Sequence, residues 1–182
     1  MIILDIETSG LDPRSHGILS IGAVHFESGR EFYEESYLYP YHKCEAKALE
    51  VNGFTIERAY DNSRGFKDNV SACRAFIEWC KAVEHKDSDI LIAGQQVGSF
   101  DVPFIKYIHE NTRHDVSKWP FGYRTVDLHS IAYALTRRSM SLDQILEFCG
   151  LNPEPKPHNA LTGAKLEAEA LLIMSIKLGH VC

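Results

Sequence analysis

Asp5 and Glu7 stand two residues apart at the end of "MIILDIET", the apolar run that opens the chain. Side chains along a strand alternate, so residues two apart share a face. Two carboxylates on one face repel each other unless a cation lies between them. A bare D-x-E is more often a solvated acid pair, but the isoleucine-rich run before this one places the strand inside a sheet. Asp101 follows a second apolar strand, "DILIAG", and the polar loop "QQVGS". Alone it reads as a helix N-cap, worth about 1 kcal/mol, although a capping carboxylate can still offer an oxygen to a metal. His158 comes just after Pro155 and Pro157 and just before a long run rich in acids and leucine. A lone histidine is usually a surface or satisfied core residue. An imidazole with a pKa near about 6.5 can also take a proton from water.

These residues need a scaffold, and the chain's patterning supplies one. After the first strand, "GILSIGAVHFESGREFYEESYLYP" contains two strand-like runs around a turn at Gly29. The stretch 44–60 predicts short helices broken at Asn52-Gly53. Residues 66–84 predict a helix with Val70, Cys73, Phe76, Ile77, Cys80 and Val83 on one stripe. "DILIAG" is a buried strand, followed by a helix through "DVPFIKYIHENT". A shorter strand near 123–126 leads into a helix capped by Asp127. "SLDQILEFCGL" predicts an amphipathic helix between Ser141 and Gly150. "NPEPKP" reads as a rigid connector, and the last helix is expected from about Asn159 to Leu178. The order predicts one α/β domain over 1–182, a mixed sheet with helices on its faces.

Composition narrows the class. Hydrophobic residues make up 45% of the 182 and charged ones 24%, enough for a core. A net charge of −6 argues against wrapping long nucleic acid, though not against holding a short strand end through bound cations. The five cysteines form no CxxC pair, which predicts reduced thiols and a cytoplasmic protein. No apolar run approaches the roughly 18 residues that span a bilayer, so no membrane association is expected.

Taken in order, D-I-E-T at 5–8, F-D at 100–101 after a strand, and H-N-A-L at 158–161 resemble the three motifs of the DnaQ-like, DEDDh-type 3′–5′ exonucleases. The resemblance covers essentially the whole chain. It implies a ribonuclease H-like mixed sheet of five strands, three antiparallel at the N-terminus and then parallel ones, flanked by helices. It also implies two-metal hydrolysis of phosphodiester bonds from the 3′ end of single-stranded DNA or RNA. Asp5 would bridge two Mg²⁺ or Mn²⁺ ions, Glu7 would bind one, Asp101 would bind directly or through water, and His158 would deprotonate the attacking water. "ALEVNGFT" at 48–55 resembles the segment that packs near the terminal nucleotide, so Thr8, Leu49, Gly53, Phe54 and Phe100 are the expected substrate contacts. Phe54 or Phe100 could stack on a terminal base, although such residues are more often core. Arg137, Arg138 and Lys165 could touch phosphates, with a solvated helix face as the default. A homodimer or a polymerase partner is left open.

One position departs from the family pattern. The third motif reads H-x-x-x-x-D, and counting from His158 arrives at Gly163, so the fourth carboxylate is absent. Glycine also costs a helix about 1 kcal/mol relative to alanine. Three explanations stand: a residue altered to disable turnover, a naturally weakened or inactive relative that only binds nucleic-acid ends, or replacement by Glu167 one turn later. An offset of about 5–6 Å along the helix axis argues against Glu167. The sequence therefore predicts an exonuclease weakened at one metal ligand, with an inactive binding module as the alternative.

Overall fold

The computed structural model describes residues 1–111 and 118–179. Its first strand, β1 (Ile2–Thr8), pairs antiparallel with β2 (Ile18–His25), which pairs antiparallel with β3 (Glu31–Tyr37). Gly29, at φ +68°, makes the turn between β2 and β3. Two short helices follow, α1 (Ala46–Asn52) and α2 (Ile56–Ala59), separated by Gly53 in the left-handed conformation. A two-residue strand, β4 (Lys67–Asp68), runs into α3 (Asn69–Glu84), capped by the Asp68 side chain. Then come β5 (Ile90–Gly94), α4 (Asp101–Asn111), β6 (Phe121–Asp127), α5 (Leu128–Thr136), α6 (Leu142–Cys149) and α7 (Ala160–Gly179). Thr112, the end of the expected fourth helix, and Cys182 lie outside the described residues.

The sheet order is β4-β3-β2-β1-β5-β6, with β5 parallel to β1 and β6 parallel to β5. This is the expected ribonuclease H-like mixed sheet with six strands in place of five. The sixth, β4, is too short to leave any alternation in the sequence and joins the edge by pairing parallel with β3. β1 lies mid-sheet, and its period of two splits the core. Ile2, Leu4 and Ile6 face α3 and α4, packing with Ile21, Phe76 and Phe104. Ile3 faces the other way, with Ala93, Leu128, Ala164 and Leu171 under α5, α6 and α7. Asp5 and Glu7 continue that second face beyond the core. In α3 the stripe holds at Cys73, Phe76, Ile77, Cys80 and Val83, whereas Val70 is only half-buried.

Helix ends follow their residues. Asp127 Oδ1 accepts from the Ser130 amide, and Ser141 and Gln144 form a reciprocal capping box. Asn159 Oδ1 accepts from the amides of Leu161 and Thr162 at 3.1 Å each, starting α7. That helix lies very close to the sheet. A Cβ added to Gly22, the β2 residue paired with Asp5, would stand 2.1–2.2 Å from the backbone of Ala160 and Leu161. Among the described residues no helix is long and apolar enough to cross a membrane, and Cys44, Cys73, Cys80 and Cys149 are free thiols.

Candidate active site

β1 runs past the end of β5: the two strands pair only at Ile2–Ile92 and Ile3–Ala93. Beyond that point the β1 edge needs another partner. Asp101, the first residue of α4, supplies it, its Oδ1 accepting from the Ile6 amide at 3.0 Å. The expected N-cap is thus a strand-edge acceptor, and the bond draws the Asp101 carboxylate against the end of β1. The site opens at the carboxyl ends of two parallel strands, where open α/β sheets place their ligands.

A cavity of about 320 Å³ opens there, and Asp5, Glu7, Asp101 and His158 all line it. So do Glu154 and Glu167, neither of which the sequence analysis assigned to the site. Glu167 reaches the cavity in spite of its axial offset from position 163. Side chains on a helix tilt toward its N-terminus, so a glutamate one turn later extends back toward Gly163. Glu167 is only 2% exposed, and its Oε2 is buried with no hydrogen-bond partner. Glu154 sits in the connector, where proline spacing drew attention away from the acid. Its side chain is 6% exposed, and its Oε2 lies 3.4 Å from His158 Nδ1. With Nδ1 facing that carboxylate, Nε2 is the nitrogen left to act as a base. The His158 amide donates to the Val51 carbonyl at 3.0 Å, tying the histidine to α1.

A neighbouring cavity of about 300 Å³ shares Ile6, Glu7 and Phe100 with the first and is otherwise lined by Thr8, Val51 and Asn52 among others. Thr8 and Phe100, two of the expected substrate contacts, line this cavity, with the Thr8 hydroxyl donating to the Gly10 carbonyl. Leu49, Gly53 and Phe54 do not line either cavity. Leu49 is buried with Leu19, Leu38 and Ala59. Gly53 ends α1 against Pro157, and the Arg58 guanidinium lies 4.2 Å over the Phe54 ring. They pack around α1, whose Lys47, Ala48, Val51 and Asn52 line the second cavity. The Asn52 amide donates to the Thr8 carbonyl at 3.0 Å. Lys165 pairs with Glu31 at 2.9 Å, as a solvated helix face would.

The carboxylates crowd one another. Burial, then Glu167, Glu7, Asp101 and Glu154, push the Asp5 carboxyl well above the ordinary range. Burial, then Glu154 and Asp101, push Glu7 up to about 8. Burial raises Asp101 to about 8 against the opposing pull of the Ile6 amide. Burial and Asp101 raise Glu167, and burial raises Glu154 while His158 opposes. Among the described residues, no lysine or arginine pairs with any of them. Such a group either keeps its protons or holds cations. Glu167's unpartnered oxygen and an all-oxygen ring beside one imidazole fit a hard divalent cation.

The shifts set a pH dependence. A carboxyl protonated in the folded state and ionised when unfolded makes stability fall as pH rises from its unfolded value, about 4, to its folded one. In EDTA, the protein is expected to lose several kcal/mol between pH 5 and 8, lowering its melting temperature by about 10 °C. Mg²⁺ or Mn²⁺ is expected to restore most of that loss at pH 8. A melting temperature that is flat or rises over this range in EDTA would contradict the crowded-acid account.

Residues 1–174 match the family described as the 3′-5′ exoribonuclease Rv2179c-like domain. The chain is similar to the 3′-5′ DNA exonuclease Cap18 of Escherichia coli, 32% identical over 92% of this chain and 87% of that protein. It is 30% identical to a segment of the PolC-type DNA polymerase III of Thermotoga maritima, covering 94% of this chain but 11% of that one. Among solved structures, E. coli exonuclease I in complex with an oligonucleotide superposes with a TM-score of 0.74 at 16% identity, over 98% of this chain and 41% of that one. The nuclease domain of 3′hExo, a DEDDh family member bound to rAMP, gives 0.70 at 15% identity over 98% and 92%.

Proposed function

Since the chain belongs to the 3′-5′ exoribonuclease Rv2179c-like domain family, within the DnaQ-like exonucleases, we propose that it removes nucleotides from the 3′ end of single-stranded nucleic acid with the help of two divalent cations. The observation that carries this is the meeting of Asp5, Glu7, Asp101 and His158 in one cavity, beside a second cavity of about 300 Å³ walled by Phe100 and Val51. Asp5, Glu7, Asp101 and the buried oxygens of Glu154 and Glu167 are the groups that would hold Mg²⁺ or Mn²⁺. When bound, such ions polarise the phosphate and stabilise the attacking and leaving oxygens.

The protein's own residues do the rest. His158 Nε2 takes the proton from water as its oxygen bonds to phosphorus and the P–O3′ bond breaks. The proton returned to the O3′ leaving group yields a shortened 3′-hydroxyl and a nucleoside 5′-monophosphate. Glu154, 3.4 Å from Nδ1, stabilises the imidazolium formed midway. Phe100 offers an aromatic face for the terminal base, an interaction worth about 1–3 kcal/mol per base. A cytoplasmic setting fits four free thiols.

Single-stranded RNA and DNA carrying a 5′ label test this directly. Incubation with Mg²⁺ or Mn²⁺ is expected to give a ladder shortening one nucleotide at a time, releasing 5′-monophosphates, and a 3′-phosphate block should stop it. Internal cleavage, or release from the 5′ end, would overturn the assignment. The faster of the two substrates identifies the preferred sugar.

A further inference from the structure

We propose that Glu154, reaching in from the connector before α7, supplies the cation ligand that Gly163 cannot, so that the chain carries a complete site rather than a weakened one. The proposal rests on the exonuclease reading above and concerns only which residue closes its metal cage.

Three observations converge on Glu154. First, a Cβ placed on Gly163 would stand 3.5 Å from Glu154 Oε1, so this carboxylate already lies where a side chain from position 163 would reach. Second, the ligand atoms of Glu7, Glu154 and His158 lie within 4.8 Å of one another, close enough for one ion to touch several of them. Third, the side chain is buried although its residue is in a proline-flanked loop. The loop is pinned: the Glu154 amide donates to Asp143 Oδ1 at 3.4 Å, and the Asn159 amide donates to Glu154 Oε1 at 3.4 Å. A glutamate exposed for solvation would not be held inward in this way. Beside it in the same cavity, the unpartnered Oε2 of Glu167 is a second buried acid oxygen that fits positive charge.

Asp5 limits what position 163 can carry. That added Cβ would come within 2.0 Å of Asp5 Oδ2. With α7 seated this close to β1, a ligand from 163 would displace the Asp5 side chain, whereas one from the connector would not. Glu167 approaches from the opposite side, next to Gly94 and Asp101, so it does not duplicate Glu154.

Mn²⁺ binding to the full chain, counted and titrated by calorimetry without nucleic acid, separates the possibilities. Wild type is expected to bind two ions. Glu154→Gln, folded as wild type in EDTA by circular dichroism, is expected to bind one of them about 100-fold more weakly. Glu154→Asp should recover part of that, to about tenfold weaker, and carries the test alone should the glutamine variant not fold. Wild-type Mn²⁺ affinity in these variants overturns the proposal. That includes the case in which only the pH profile of hydrolysis shifts, which would make Glu154 a positioning residue for His158. The exonuclease reading fails differently: wild type would bind no Mn²⁺, and Asp5→Asn would change nothing.

Discussion

Gly163→Asp is expected to damage this protein rather than repair it. By the family's H-x-x-x-x-D pattern the substitution restores a ligand. By the geometry it drives a Cβ to within 2.0 Å of Asp5 Oδ2 and 2.9 Å of its Cγ. Asp5 is fixed in β1 between β2 and the start of α4, so only its side chain can yield. The helix cannot retreat freely either, because its first turn rests on the Cβ-less face of Gly22. Overpacking of this kind costs about 1–3 kcal/mol, and a further buried negative charge adds to it. The gain of about 1 kcal/mol from removing a helical glycine does not cover the sum. We expect the melting temperature in EDTA to fall by about 5 °C and the hydrolysis rate by at least about 100-fold, as Asp5 is turned out of the ring. Gly163→Ala separates steric from charge effects and should lose activity while leaving stability nearly unchanged. A Gly163→Asp enzyme faster than wild type would mean that the glycine is a lost ligand and the chain impaired.

Asp5→Asn is expected to have the largest effect on rate and the opposite effect on stability. Asp5 feels four acidic neighbours, Glu167 foremost. It lines the same cavity as Glu7, Asp101, Glu154 and Glu167. An amide of the same shape keeps the packing but loses the charge that would bridge two cations. Losing several kcal/mol of charge stabilisation slows hydrolysis by at least about 10³-fold. The same change removes mutual repulsion, so the variant should melt higher than wild type in EDTA at pH 8. Mn²⁺, which raises the wild-type melting temperature, should raise this one little. Thermal melts with and without Mn²⁺ and a single-turnover rate measurement settle both halves. A variant that keeps its rate would remove Asp5 from the chemistry.

The part of the site on regular elements was legible because periodicity reports faces. Ile2, Leu4 and Ile6 alternate with Ile3, Asp5 and Glu7, and the structure puts these two sets on opposite faces of β1. Asp127, Ser141, Asn159 and Gly150 mark helix ends by local chemistry that needs no tertiary context. Asp101 was legible as a position but not as a partner. Its acceptor role depends on β5 stopping two residues into its pairing with β1, a long-range fact no local pattern carries. Glu154 was hidden by its prolines, since a connector shows no periodicity that would mark an inward side chain. Glu167 was set aside by counting along a helix axis while neglecting the backward tilt of its side chains. Leu49 and Phe54 do not line the cavities, while other residues of the segment they belong to do, because burial and stacking within that segment leave no mark in the pattern.

The seating of α7 on Gly22 also constrains the routes by which such a chain can change over generations. While the helix rests where it does, an acid at position 163 has to turn the Asp5 side chain aside. A side chain at position 22 would meet the backbone of Ala160 and Leu161 and so lift the helix that carries position 163. Changes at positions 22 and 163 are therefore coupled through the placement of a single helix turn.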